Sequence, residues 1–129
     1  MSIRQEMLDK KIWAVVGVSG KKEKWGYRLY NILKENDYKV YGVSPNYDEI
    51  EGDRVYHSLK DVPEKVDVIN MVVSPRISIN ILGEANSLGI EYVFFQPGSY
   101  NNEVVAKAEE LGLKYLIGDC VYAILKNRS

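Results

Sequence analysis

Residues 12–36 read IWAVVGVSGKKEKWGYRLYNILKEN. The first seven are almost continuously apolar and rich in Val and Ile, the reading of a strand buried on both faces. A turn rich in glycine and lysine follows. Beyond it Leu29, Tyr30, Ile32 and Leu33 recur at helical spacing, and Asn36 stands where a left-handed helix stop is expected. Strand, glycine turn and helix together make the opening unit of a parallel α/β sheet.

The same alternation continues down the chain. Residues 39–43 (KVYGV), 66–73 (VDVINMVV), 92–95 (YVFF) and 114–117 (KYLI) read as further strands. Ser74-Pro75 is a helix start, a hydroxyl N-cap followed by proline at the first helical position. Ile77, Ile81, Leu82, Ala85 and Leu88 line one face of that helix, and Gly89 stops it. Asn102 is expected to cap the next helix, with Glu103 favoured by the dipole in its first turn and Gly112 at its end. Ser2 with Gln5 suggests a capping box on a short leading helix, and residues 121–125 read as a short final one. The stretch 46–65 is less regular, with an extended piece at 54–56 and one helical turn after Ser58. The expected fold is α/β: a Rossmann-like, doubly wound, mainly parallel five-stranded sheet with helices on both faces, and a single domain over residues 1–129.

Composition narrows the function. Of 129 residues 46% are apolar and 27% charged, a globular balance that excludes global disorder. Seventeen Lys and Arg against eighteen Asp and Glu leave a net charge of −1, so no chain-wide basic field for nucleic acid exists. No apolar run approaches the length of a membrane span, and no signal-peptide core precedes the first strand. The single cysteine, Cys120, permits no intrachain disulfide and fits a reducing, cytoplasmic setting. Ten tyrosines against two phenylalanines suggest half-buried positions that accept a wet hydroxyl.

In sheets of this kind ligands sit beyond the carboxyl ends of the strands. Gly17, Ser19, Lys21, Lys22 and Trp25 occupy the first such end, with Arg28 in the first turn of the following helix. Glycine permits close backbone approach, a helix N-terminus offers free N–H groups, and the cations add charge; together they suit phosphate. The alternative reading is a tight turn with solvated lysines. Two familiar phosphate motifs fail. A dinucleotide fingerprint needs glycine where Ser19 and Lys22 stand, and an acid where Ser44-Pro45-Asn46 ends strand two. A Walker loop needs four residues between its glycines, and Gly17 and Gly20 enclose two. The remaining strand ends carry Val73-Ser74-Pro75, Gln96-Pro97-Gly98-Ser99 and Gly118-Asp119-Cys120. Each alone is an ordinary turn; five at corresponding positions suggest a ligand groove.

The ordered set resembles the stand-alone coenzyme A-binding domain family. It comprises Gly-x-Ser after strand one, Ser-Pro-Asn after strand two, Gly52 before Val55-Tyr56-His57-Ser58-Leu59, Gln-x-Gly after strand four and Asp-Cys after strand five. The likeness covers about residues 12–125 and extends, more distantly, to the N-terminal domain of the succinyl-CoA synthetase α-subunit. It departs at Asn36-Asp37, where a glycine is common, at Gly118-Asp119, and at Pro97 within Gln-x-Gly. The resemblance implies coenzyme A as the ligand. Gly17, Ser19 and Arg28 match its phosphate-contacting segment, Ser44, Pro45, Asn46, Val73, Ser74 and Pro75 flank the adenosine, and Gln96, Pro97, Gly98 and Cys120 lie near the pantetheine end. An adenine between Pro45 and Pro75 would stack on apolar faces without a carboxylate at the ribose.

No catalytic set and no metal-ligand cluster emerges. His57, the single histidine, reads as a surface or packed residue. Cys120 reads either as a packed thiol or as one facing the CoA sulfur at a helix start. Asp67 and Asn70 read as local hydrogen-bonding groups within strand three. The expectation is a CoA or acyl-CoA binding module without catalysis of its own. The alternatives are an NAD(P)-dependent oxidoreductase and a part of an acyl-CoA synthetase that needs a partner chain. The partner expected is a small molecule, not nucleic acid or membrane, with monomer and homodimer both open.

Overall fold

Ser2 Oγ accepts a hydrogen bond from Gln5 N at 3.1 Å and caps α1 (Ile3–Leu8). The Gln5 amide turns to Asp9 Oδ1 at 2.8 Å rather than back to Ser2, so only half of the capping box forms. The computed structural model describes residues 2–127. The central strand β1 (Ile12–Val16) lies between β2 (Lys39–Val43) and β5 (Val68–Met71), in parallel with both. Outward lie β6 (Tyr92–Phe95) and β7 (Lys114–Leu116) on one side, and β4 (Asp53–Tyr56) and β3 (Glu49–Ile50) on the other. The order is β3-β4-β2-β1-β5-β6-β7, and only the β3–β4 pair is antiparallel.

The sheet therefore has seven strands rather than the expected five. Both additions fall in the irregular stretch after Asn46. β3 is two residues long, too short for any period, and β4 pairs with β2 through only Gly42↔Val55 and Val43↔Tyr56. Three expected strands are also shorter, β1, β5 and β7. Gly17, at φ +104°, turns the chain away at the end of β1, although Val72 N still donates to Val16 O at 2.9 Å beyond β5.

Helices α2 (Trp25–Glu35) and α5 (Val121–Lys126) cover one face with α1; α3 (Pro75–Ser87) and α4 (Asn102–Glu110) cover the other. Strand alternation sorts the core. Trp13, Val15 and Phe94 pack with Leu29, Leu33, Val121 and Leu125 on the first face. Ala14, Val16, Ile69 and Phe95 pack with Leu82, Ala85, Val104 and Ala108 on the second. Full burial of each large member contributes about 1.5–3 kcal/mol.

Several local expectations need correcting. Asp37, at φ +68°, takes the left-handed position after α2, while Asn36 stays at φ −101°. Asn101, not Asn102, caps α4; its side chain accepts from Val104 N at 2.9 Å. Ser74 occupies the N-cap position of α3 but makes no side-chain capping bond. Within the sheet, Asp67 Oδ2 accepts from Ile12 N at 3.1 Å, a bond between strands rather than a local one. Asn70 is wholly buried, and neither Oδ1 nor Nδ2 finds a partner among the described residues.

Candidate functional site

A groove of about 850 Å³ opens along the carboxyl ends of the strands, within the size range of small-molecule sites. Its centre is the loop between β1 and α2. Gly17 cannot carry a side chain there: its φ is positive, and a Cβ would meet Val73 Cγ1 at 2.9 Å. Gly26 is equally constrained, since a Cβ would lie 2.1 Å from Gly17 O. The first turn of α2 is thereby pressed onto the end of β1. Close helix–strand contact is the role of the third glycine of a dinucleotide fingerprint. In this chain a longer loop carries that glycine to position 26, where the fixed-spacing motif does not look.

The loop has its own scaffold. Ser19 Oγ accepts from Lys21 N at 3.1 Å and lies 3.4 Å from Tyr47 Oη. Gly20 leaves room for the Tyr47 ring, which a Cβ there would approach to 3.2 Å. The hydrogen bond to Ser19, the Gly20 backbone and the charge of Lys21 hold the Tyr47 phenol below its ordinary pKa. Lys24 precedes α2 without a side-chain cap. Tyr27 N and Arg28 N donate to Lys24 O, which leaves the N–H groups of Trp25 and Gly26, the two first-turn residues that line the groove, without intrahelical acceptors. Helix dipole, N–H groups and the ammonium groups of Lys21 and Lys24 thus act on one volume.

Of the residues singled out from sequence, Gly17, Ser19, Lys21 and Trp25 line the groove, with Ser44, Pro45 and Asn46, Val73 and Ser74, Gln96, Pro97 and Gly98, and Cys120. Lys22, Arg28 and Pro75 do not. Arg28 places its guanidinium 5.0 Å from the centre of the Trp25 ring, so it reaches the groove through that indole. Pro75 faces a separate hollow beside Arg76 and Asn101. The expected pair of proline faces is therefore not formed; the apolar groove-lining residues besides Pro45 include Val73, Ile77 and Ile81.

At the far end Gln96, 3% exposed, joins β6 to α5. Its Oε1 accepts from Val121 N at 3.0 Å, and its Nε2 donates to Cys120 Sγ at 3.3 Å. The half-buried Cys120 is thereby held at the groove by a neighbour whose amide is already committed. Asp119 Oδ1 accepts from Cys120 N at 2.9 Å, and its other oxygen meets Arg4 at 3.3 Å.

Sequence reasoning missed Tyr47, Ser58, Ile77, Ile81 and Glu84 as groove residues and gave His57 no site role. Ile77 and Ile81 carried a signal, being two of the five residues in the apolar stripe of α3, but the stripe reads equally well as core. His57 lies at the rim, its Nε2 2.7 Å from Asp48 Oδ1. Among the described residues no cluster of His, Cys, Asp and Glu has the makings of a metal site, and no helix is long and apolar enough to cross a membrane.

Comparison with known proteins agrees with this architecture. The chain is 31% identical over 110 residues to an ADP-forming acetate–CoA ligase of Methanocaldococcus jannaschii; the match covers 81% of this chain and 15% of the ligase. The chain thus corresponds to a small part of that relative. Two solved structures cover most of both partners. A hypothetical protein from Pyrococcus horikoshii superposes with TM-score 0.89 at 33% identity, over 97% of this chain and 88% of that one. A conserved hypothetical protein from Pyrococcus furiosus does so with TM-score 0.84 at 35% identity, over 89% and 99%. The family model described as CoA binding domain matches residues 11–126, nearly the whole chain, so this protein belongs to the CoA binding domain family.

Proposed function

We propose that the protein binds coenzyme A, or an acyl-CoA, along this groove and has no catalytic set of its own. Family membership and a relative named as an acetate–CoA ligase support the ligand class. The observation that carries the reading is the reach of the groove. It is lined at the ends of β4, β2, β1, β5 and β6, with the phosphate-type loop near its middle. Four strand spacings make about 19 Å. A nucleotide with a long tail uses that length on both sides of its phosphates; a mononucleotide does not.

Gly17, Ser19, Lys21 and the start of α2 would hold the pyrophosphate, through N–H groups and cations that favour two adjacent negative charges. Gln96, Pro97, Gly98 and Cys120 would border the pantetheine. No carboxylate follows β2, where Ser44, Pro45 and Asn46 stand, which disfavours an NAD ribose. A second reading is a ligase-type module that works with a partner chain; the chain's match to only 15% of the ligase favours it.

Thermal unfolding with CoA, acetyl-CoA, NAD and ATP tests the proposal. A ligand at 100 times its Kd stabilises by about 2.7 kcal/mol, a rise of roughly 10 °C for a domain of this size. CoA and acetyl-CoA should raise the Tm, and NAD and ATP should do so far less. Equal response to NAD would overturn the assignment. Co-purification of a ligase-like chain with the tagged protein would support the second reading.

A further inference from the structure

The arm of the groove between β4 and α3 has its own chemistry. Ile77, Ile81 and Glu84 stand at i, i+4 and i+7 on α3 and form one stripe along its groove face. Val43 and Pro45 line the same groove. Ile77 is 47% exposed, an apolar side chain open on a cleft with apolar walls. At the inner end Glu84 Oε1 accepts from Leu59 N at 2.9 Å and so caps the short helical turn Leu59–Asp61. Its second carboxylate oxygen has no hydrogen-bond partner among the described residues. The neighbouring donor is already engaged, because Ser58 Oγ donates to Asp61 Oδ2 at 3.0 Å. Glu84 is also the only carboxylate among the groove-lining residues. Its anionic oxygen asks the ligand for a hydrogen-bond donor, in a groove whose lysines, Lys21 and Lys24, ask for the opposite.

We propose that Glu84 is the base-selecting residue of the groove, accepting the exocyclic amine of a 6-aminopurine held between Ile77, Ile81 and Pro45. This rests on the reading of the groove as a coenzyme A site and adds which edge of the base is recognised, and by what. The placement is consistent with the rest of the ligand. β4 lies two strands from β1, about 10 Å from the phosphate loop by strand spacing, the reach of a nucleoside and far enough to keep the carboxylate off the phosphates. A flat heterocycle buries the open face of Ile77 and presents only its edge to Glu84. A 6-oxopurine would turn an acceptor toward that carboxylate, losing the hydrogen bond and adding repulsion.

The test compares CoA with its 6-oxo analogue, identical except for hypoxanthine in place of adenine, by calorimetric titration. The wild-type protein should bind CoA at least about tenfold more tightly than the analogue, since a hydrogen bond to a charged group is involved. Glu84→Gln keeps an acceptor for Leu59 N and gains an amide donor for the 6-oxo group. It should bind the two ligands within about threefold of each other, with the analogue improved. Equal binding of both ligands by the wild-type protein, or the full preference persisting in Glu84→Gln, would overturn the base assignment while leaving the CoA reading intact. No binding of CoA to the wild-type protein would overturn both. The wild-type comparison needs no variant, and a melting curve of Glu84→Gln checks that its fold is kept.

Discussion

At position 37 the chain turns left-handed with an aspartate, φ +68°, where a glycine would meet no Cβ penalty. Asp37 is exposed. Asp37→Gly should therefore raise stability by about 0.5–1 kcal/mol in chemical denaturation; a destabilised variant would show that the side chain has a role its position does not reveal. Asn70 is the opposite case, a polar group with no partner among the described residues, in a strand flanked by the Val15 and Phe94 positions of its neighbours. An unsatisfied buried amide costs about 1–3 kcal/mol, and an apolar group of similar volume removes that cost. Asn70→Leu should melt several degrees higher than the wild type, and a lower Tm would contradict this account of the site. Sequence could flag both residues as unusual. It could not say which way their groups would go, because that depends on strands and helices brought together from elsewhere in the chain.

At the scale of elements, the hydroxyl-rich composition finds its use. Tyrosine hydroxyls reach groups in other segments: Tyr27 on Glu51, Tyr30 on Asp53, Tyr38 on Leu8 O, Tyr41 on Glu64, Tyr47 on Ser19 and Tyr92 on Glu6. The first two, with the Lys34–Asp53 ion pair, clamp α2 to the β3–β4 hairpin. Lys34 and then Tyr30 hold the Asp53 carboxyl below its usual range. Lys39 and then Tyr41 do the same for Glu64. A depressed folded pKa adds stability above the unfolded value, about 4, that is lost as pH falls through the folded one. The Tm should therefore stay level from pH 7 to about 5 and fall below about 4, with a shallower fall in Asp53→Asn. An unchanged acid limb in that variant would remove the clamp from the account. Burial, and then the bond to Asp53, pushes the Tyr30 phenol up, so its contribution is lost only on the alkaline side, above about pH 10. The other end of α2 makes a sharper prediction. Gly26→Ala sets a methyl group against Gly17 O and should cost about 1–3 kcal/mol while abolishing CoA binding; full affinity in that variant would mean the loop is not the phosphate site.

Across the whole molecule, the legible parts were those set by period and continuity. Near-continuous apolar runs marked β1, β2, β5 and β6, and 3.6-residue stripes marked α2, α3 and α4. Of the hairpin edge only β4 was legible, as the extended piece at 54–56; β3 is two residues long, too short to show a period, and nothing in the sequence assigned either piece to the sheet. The centre and far end of the groove could be read from turn residues at strand ends. The arm along α3 could not, because Ile77, Ile81 and Glu84 lie within a helix whose apolar stripe reads equally well as core, and they line a groove only once Leu59 and Pro45 are brought to it from elsewhere in the chain. What unifies the molecule is one loop, pinned by Gly17 and Gly26 at the middle of a groove that crosses five strand ends. The most direct test is a crystal structure of the protein with coenzyme A. The pyrophosphate should lie within hydrogen-bonding distance of Ser19 and the first turn of α2, with the base toward α3 and the thiol toward Cys120. An unfilled groove in crystals grown with excess CoA, or the pyrophosphate bound elsewhere, would contradict this reading.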